Sequence, residues 1–242
     1  MENLSAQESR GYLSKEKLSR YKEKDREELE ILLKSSIPLE RTASINLLCE
    51  TKKIQYLKEF SIMLQTEKKL YVKIALSDAI VNYGDEAVSF LVPLLGKIGN
   101  NHHRKISNPD LNEKSFPLPR DIAARILIRL GSSVLPSMIE IIKSGEKIQV
   151  LEALDVVGHV TWYSRDYSVE EILLNLYDVS SGDALMKWKI IRALQSFQSQ
   201  RVIEFLENEQ LNEKNDIIKK ELIRSLNRVV KRKMIMRKEL KY

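Results

Sequence analysis

One spacing of apolar residues recurs along this chain and constrains its fold more than any other feature. In the clearest copy, Arg120 is followed at +3, +7 and +10 by Ala123, Leu127 and Leu130, and then by Gly131. Spacings of three and four place these side chains on one stripe of an α-helix. The glycine after the last apolar position predicts the end of that helix, because glycine adopts the left-handed conformation at low cost.

Further copies of this frame start at four other basic residues, and a degenerate copy starts at Glu40. The basic residues are Lys73, Lys147, Lys187 and Lys219. A second apolar helix separates each copy from the next. One helix pair cannot bury its apolar stripe alone, so neighbouring pairs must stack on one another. The sequence therefore predicts an all-α chain, a right-handed α-solenoid of about six helix pairs.

Two local patterns predict where helices begin and end. Glycine stands at +11 in three copies, as Gly84, Gly131 and Gly158, and predicts that the first helix of each pair stops there. Asp25 is followed three residues later by Glu28, which is the pattern of a capping box and predicts a helix start.

The repeated frame, written Pro/Val-Arg/Lys-x-x-Ala-x-x-x-Leu-x-x-Leu-Gly, resembles the HEAT repeat, particularly its short bacterial type. The resemblance covers roughly residues 38–230. Asp183 and Asn215 stand four residues before Lys187 and Lys219, and they look like the polar residue that commonly precedes the basic one in that family. The resemblance implies an architecture of HEAT-like helix pairs and little about activity, because one scaffold hosts many functions.

Composition divides the chain into three segments. Residues 1–24 are expected to be poorly ordered or partly helical, and residues 25–230 hold the repeat domain. Residues 231–242 are a basic tail. Residues 228–242 carry seven basic residues and one acid, which accounts for the whole net charge of +6. The rest of the chain is neutral, and this weakens the case for a repeat domain that binds nucleic acid electrostatically.

Cysteine usage and hydropathy favour a cytoplasmic protein. Cys49 is the only cysteine, so an intramolecular disulfide is excluded. No apolar run approaches the roughly 20 residues that a membrane-spanning helix needs. The first residues show neither the basic region nor the apolar run of a secretory signal. We therefore expect no transmembrane segment, and no motif indicates a cofactor.

The longest interval between copies contains a polar, proline-bearing insertion over residues 99–118. Extra loop on a repetitive scaffold is a common place for function. His102, His103 and Arg104 are its candidate partner-binding residues. Adjacent histidines do not share a helix face, and no third ligand stands at metal-site spacing. The sequence favours an ordinary surface loop or partner contact over a metal site or chemistry.

A second long interval contains an aromatic stretch, which we expect to form a loop over residues 159–168. Trp162, Tyr163 and Tyr167 alternate there with Arg165 and Asp166. This is the composition of an interaction hot spot. The simpler interpretation is an aromatic plug that packs the loop onto its own helix pair, since buried aromatic residues are commoner than exposed anchors.

The recurring basic residues predict a ladder along one edge of the repeats. Its members are Lys73, Arg120, Lys147, Lys187 and Lys219. Cations are disfavoured near helix N-termini, so a nearby acceptor is expected for each of them. Structural pairing is favoured over a rail that binds phosphate or acidic groups. For the basic tail, too, a structural and a binding interpretation are open. One is a solvated terminal helix that caps the last repeat, and the other is a contact with nucleic acid or an anionic surface.

No catalytic motif is present. The chain has no glycine-rich phosphate loop and no His-Glu metal motif, and Cys49 has no nearby histidine to activate it. The sequence therefore predicts a protein-binding module or adaptor, not an enzyme, with another protein as its partner. The alternative is a nucleic-acid-binding or repair protein like the HEAT-like DNA glycosylases, with Trp162 and Asp166, or Trp188, facing the DNA. An enzyme of another kind has no residue support.

Overall fold

The computed structural model describes residues 5–106 and 115–239. All regular structure within these ranges is helical, which confirms the predicted all-α class. The chain divides into two compact units, Met1–Ile98 and Gly99–Tyr242. The division lies inside the predicted repeat domain of residues 25–230, at the start of the predicted insertion. Residues 107–114, in the middle of that insertion, lie outside the described residues.

The first unit contains six α-helices in its described part. They are α1 (Lys15–Ser19), α2 (Arg26–Leu32), α3 (Pro38–Cys49), α4 (Ile54–Thr66), α5 (Leu70–Asn82) and α6 (Val88–Leu91). Asp25 and Glu28 form the predicted capping box at the start of α2. Helix α3 packs against α2 and α5, and α4 also packs against α5. The core between them is aliphatic, and Ile45, Leu57 and Leu76 are fully buried.

The described N-terminal residues of the first unit are partly helical and packed. A 3-10 turn over Glu8–Arg10 precedes α1. The hydroxyl of Thr42 on α3 donates a hydrogen bond to the Gly11 carbonyl at 2.8 Å. Tyr12 meets Tyr71 of α5 edge-on, with ring centroids 5.2 Å apart. Contacts with two core helices therefore fix a segment whose sequence has only a thin apolar stripe.

The second unit contains seven α-helices in its described part. They are α7 (Ile122–Leu130), α8 (Leu135–Ser144), α9 (Lys147–Ser164), α10 (Glu170–Val179), α11 (Ala184–Leu194), α12 (Gln200–Asn212) and α13 (Asp216–Glu239). Helices α7, α9, α11 and α13 pack in succession, each against the next. Helix α8 packs against α9, α10 against α11, and α12 against α13. In this unit, therefore, each odd-numbered helix packs against the next odd-numbered one, and each even-numbered helix packs against the helix that follows it.

Helix α9 is the central helix of the second unit. It packs against α7, α8 and α11, and eleven of its 18 residues are buried. Burial on this scale exceeds the single apolar stripe of a surface helix. Polar residues on α9 are therefore enclosed along with its apolar ones, and Glu152 and Asp155 are both buried.

Two of the three predicted glycine stops are confirmed, and the third is wrong. Gly84 follows the end of α5 with φ +63°, and Gly131 ends α7 with φ +77°. Gly158 instead lies inside α9, which continues to Ser164. A Cβ at Gly158 would lie 2.4 Å from Cζ of Phe116 and 3.0 Å from Cα of Ala193. This glycine therefore permits close packing and does not end the helix. Because α9 continues to Ser164, only residues 165–168 of the predicted 159–168 loop lie outside it.

The C-terminal helix runs through the predicted boundary between repeat domain and tail. Helix α13 extends from Asp216 to Glu239, so residue 231 lies within it. Val229 is fully buried and Arg232 is half-buried. The basic residues from Arg228 to Lys238 are therefore carried by a helix that belongs to the second unit.

One stretch of the described chain, Ile122–Ser144, is long and apolar enough by length and composition to cross a membrane. Core helices of globular proteins pass the same test. The stretch consists of α7 and α8 with a 3-10 turn between them, and Gly131 adopts φ +77° at the junction. The backbone is therefore not one continuous helix, which makes this stretch weak evidence for a membrane span.

Candidate functional site

The first part of the insertion covers a set of buried polar side chains in the second unit. We call His102, Asp121, Glu152, Asp155 and Lys189 the polar cluster. Asp121 caps the start of α7, where its carboxylate accepts a hydrogen bond from the Ala124 amide at 2.7 Å. Glu152 and Asp155 lie one turn apart on α9, and Lys189 lies on α11. Three helices and one irregular segment thus contribute to the cluster.

His102 brings the insertion into contact with two carboxylates. Its Nδ1 lies 3.4 Å from Oε1 of Glu152 and 3.8 Å from Oδ2 of Asp121. Its Nε2 lies 3.1 Å from the Gly99 carbonyl oxygen. The imidazole is only 7% exposed, so these contacts are shielded from solvent. The predicted partner-binding residue His102 therefore faces inward, toward the helices of its own unit.

A buried ion pair stands beside this contact. Lys189 Nζ lies 2.5 Å from Oδ2 of Asp155, and the lysine side chain is fully buried. An isolated buried charge is costly, so each of these groups depends on the other. The pair joins α9 to α11. The other two carboxylates of the cluster, Asp121 and Glu152, lie against His102 instead.

Burial raises the pKa of Glu152 above its ordinary value. Nearby Asp155 and Asp121 raise it further, while Lys189 and His102 oppose the shift. Its Oε2 has no hydrogen-bond partner within the described part of the chain. A carboxyl group in such surroundings retains its proton to higher pH than an exposed one.

His103 occupies a different environment from its neighbour. Its ring meets the Trp188 indole edge-on with centroids 5.1 Å apart. Burial lowers the pKa of His103 to about 4, and the positive charge of Lys189 acts in the same direction. The ring is therefore neutral near pH 7. Arg104, the third candidate of the insertion, is exposed.

Trp162 is packed within the second unit. The Arg232 guanidinium of α13 lies 3.6 Å from its ring centroid, and Arg232 Nη2 donates a hydrogen bond to the Trp162 carbonyl at 2.8 Å. Phe116, from the last part of the insertion, lies 6.0 Å away. These contacts favour the aromatic-plug interpretation for Trp162.

Tyr167 is also held by its own unit. Its hydroxyl donates to Oε1 of Gln198 at 2.5 Å, and its ring lies 5.4 Å from that of Phe197. Asp166 accepts a hydrogen bond from the Ser168 amide at 3.0 Å, which shapes the short turn before α10. Both residues therefore have structural roles.

Tyr163 and Arg165 point outward at the end of α9. Tyr163 is 59% exposed, and the His159 ring lies 4.9 Å from its ring. Arg165 is exposed and ends the helix with φ +61°. Of the five residues predicted in this stretch, Tyr163 and Arg165 lie on the surface. Trp162 before them and Tyr167 after them are packed within the unit.

Two members of the predicted basic ladder make contacts within the second unit. Lys147 pairs with Asp183 at 2.5 Å, and the ammonium of Lys187 lies 4.5 Å from the Tyr177 ring centroid. Both contacts support structural pairing. Arg120 is exposed, while Lys73 and Lys219 are half-buried.

Sequence reasoning missed most of the polar cluster. Asp121, Glu152, Asp155 and Lys189 are not among the predicted site residues. Glu152 and Asp155 stand in a strongly apolar run, which is an unusual place for a charge. That signal marks single residues and does not show that they meet. No group of three or more His, Cys, Asp or Glu residues with the geometry to hold a metal ion occurs in the described ranges.

No protein-family model matches the chain, and no curated protein matches it.

Proposed function

We propose that this chain is a helical-repeat binding module for another protein, an adaptor without chemistry of its own. The proposed architecture is a right-handed α-solenoid of HEAT-like helix pairs. Its support is the alternating order in which helices of the second unit pack. A single cysteine fits a reducing compartment, so we infer a cytoplasmic location.

The observation that carries this proposal is the exposure of Tyr163 beside Arg165. Tyrosine and arginine are enriched at the energetic centres of protein interfaces. Tyr163 is largely solvent-exposed, yet its backbone is fixed because Trp162 packs beneath Arg232 and helix α9 continues to Ser164. An exposed aromatic side chain on a rigid backbone loses little entropy when it is buried by a partner.

The proposal is tested by co-purification from the native host, comparing the wild-type chain with the double variant Tyr163→Ala/Arg165→Ala. We expect a specific partner to be lost from the variant while the melting temperature stays unchanged. Val179→Ala is the matched control, because Val179 is an exposed apolar residue on α10 of the same unit. Equal recovery of every bound protein by wild type and double variant would refute this surface as the contact.

Nucleic-acid binding is the second candidate, and the positive charge of α13 favours it. Lys231 is exposed and Lys233 half-buried on this helix, near Arg228 and Arg232. A glycosylase-like role has less support, because Trp188 is completely buried and Trp162 is covered by Arg232. Neither indole is available to stack on a base.

A salt titration separates the two candidates. Binding of a DNA duplex is measured at several salt concentrations for wild type and for Lys231→Gln/Lys233→Gln. An electrostatic complex weakens steeply with salt, and removing two phosphate contacts lowers the slope by about two. Absence of binding at low salt removes the nucleic-acid candidate. Deleting residues 228–242 is a poor alternative, because it also removes buried Val229.

A further inference from the structure

We propose that one proton held between His102 and Glu152 attaches the 99–106 segment to helices α7 and α9, so that this segment is released as the pH rises. The inference concerns a conformational device in the second unit. It does not depend on what the protein binds.

The first step is the tautomer of His102. Its Nε2 lies 3.1 Å from the Gly99 carbonyl oxygen, which can only accept hydrogen bonds. Nε2 must therefore carry a hydrogen to make this contact. In a neutral imidazole only one ring nitrogen carries hydrogen, so the other nitrogen, Nδ1, then presents a lone pair.

The second step is what Nδ1 faces. Oε1 of Glu152 lies 3.4 Å away and Oδ2 of Asp121 lies 3.8 Å away. A lone pair opposite an ionised carboxylate is repulsive and leaves both groups without a hydrogen-bond donor. Nδ1 makes no hydrogen bond in the described part of the chain. One additional proton, on Nδ1 or on the Glu152 carboxyl group, gives the pair a donor and makes the contact attractive. The contact is therefore favourable only while the pair holds that proton.

The third step is the charge balance around the pair. Asp121 at the start of α7 and Asp155 on α9 are negative, and Lys189 on α11 is positive. With Glu152 ionised, the three carboxylates of the polar cluster face the one ammonium of Lys189. Arg120 and Arg192 act on the adjacent His103. The shared proton reduces this excess of negative charge, and burial makes each uncompensated charge expensive. Both effects oppose loss of the proton from the pair.

The remaining contacts of the segment respond differently to pH. His103 packs against Trp188 as a neutral ring and does not titrate at alkaline pH. Arg104 and Lys105 are exposed. The far end of the insertion is anchored independently, because Phe116 is buried against Gly158. Loss of the shared proton is therefore expected to loosen residues 99–106 without unfolding the unit.

Spin-label mobility tests the proposal with the full chain. A nitroxide is attached to Lys105→Cys in a Cys49→Ala background, and its spectrum is recorded from pH 6 to pH 10. We expect the mobile fraction to rise at least about three-fold across this range in the otherwise wild-type chain. In Glu152→Gln the rise should disappear, because the amide provides a permanent N–H for Nδ1. A label at Asn175→Cys, exposed on α10, is the control and should not respond.

Two outcomes of the pH series would overturn the proposal. One is a label at position 105 whose mobility is independent of pH, and the other is an equal response in the Glu152→Gln chain. If that variant does not fold, His102→Gln serves instead, since position 102 lies outside the helices. Its label should be insensitive to pH while circular dichroism shows intact helices. Mobilisation of the wild-type label by a metal chelator at pH 7 would also overturn the proposal, because a cation would then bridge the pair.

Discussion

The ring of Phe116 occupies the place where a side chain at position 158 would begin. A Cβ built on Gly158 would lie 2.4 Å from Cζ of Phe116, closer than carbon atoms approach without displacement. Gly158 stands in the middle of α9, where glycine is otherwise unfavourable by about 1 kcal/mol relative to alanine. The helix thus tolerates a poor helix former because the insertion packs against its backbone at that point.

We predict that Gly158→Ala destabilises the protein despite the better helix propensity of alanine. The added methyl group meets Phe116 and the Ala193 backbone, and overpacking of this kind costs about 1–3 kcal/mol. Chemical denaturation monitored by circular dichroism measures the loss. In the double variant Gly158→Ala/Phe116→Ala, the two effects should be less than additive, because removing the ring makes room for the methyl group. Strict additivity would contradict the proposed clash.

Lys189 and Asp155 provide a second prediction, because each is buried with the other as its partner. Lys189→Met should lower the free energy of unfolding by about 3–5 kcal/mol, since it leaves a buried carboxylate uncompensated. Adding Asp155→Leu should recover much of that loss by replacing the pair with apolar groups of similar size. The comparison requires urea unfolding of both single variants and the double variant. A double variant less stable than either single one would show that the pair is not the main interaction of these residues.

The sequence predicts features that depend on neighbouring residues better than features that depend on contacts between distant parts of the chain. The ends of α5 and α7 were predicted correctly, because Gly84 and Gly131 act through their own backbone conformation. Gly158 was misjudged because its role is set by Phe116, which lies 42 positions earlier in the sequence. Residue type and local spacing cannot distinguish a glycine that ends a helix from one that admits a neighbouring side chain.

The polar cluster shows the same limit for the candidate site. His102 was recognised from its loop, but Asp121, Glu152 and Lys189 are contributed by three separate helices. In the sequence Glu152 stands among apolar residues, whereas Asp121 and Lys189 have basic residues nearby. Their meeting depends on how α7, α9 and α11 pack, and helical periodicity predicts which face is buried without predicting which residues face each other.

Trp162 and Tyr163 are neighbours in sequence with opposite surroundings, and this gives a third prediction. Trp162→Ala removes a ring packed against Arg232 and Phe116, so we expect a loss of about 1–3 kcal/mol. Tyr163→Ala removes a mostly exposed ring and should change stability by less than about 0.5 kcal/mol. Melting temperatures of the two variants test the contrast directly. Equal losses would mean that Tyr163 is part of the packed plug and not a free contact surface.

His103 gives the final prediction, which concerns acid stability. Its pKa in the folded chain is about 4, below the value near 6.5 expected when the chain is unfolded. The unfolded state therefore binds more protons between these values, so stability that is fully present above about pH 6.5 is lost as the pH falls toward 4. Glu152 changes stability with pH in the opposite direction. Because its pKa is raised in the folded state, the folded state loses stability as the pH rises above the ordinary carboxyl pKa.

The variant His103→Gln isolates this contribution. Its free energy of unfolding should fall less than that of the wild type between pH 6.5 and pH 4.5, measured by urea denaturation at each pH. Partial exposure screens the charge, so the difference should be smaller than the full shift would give. His159→Gln is an informative comparison, because burial lowers the pKa of His159 too and its ring packs against Phe116 and Tyr163 instead of Trp188. Identical pH dependence in wild type and His103→Gln would show that His103 does not resist protonation, and would remove the physical basis for its neutral contact with Trp188.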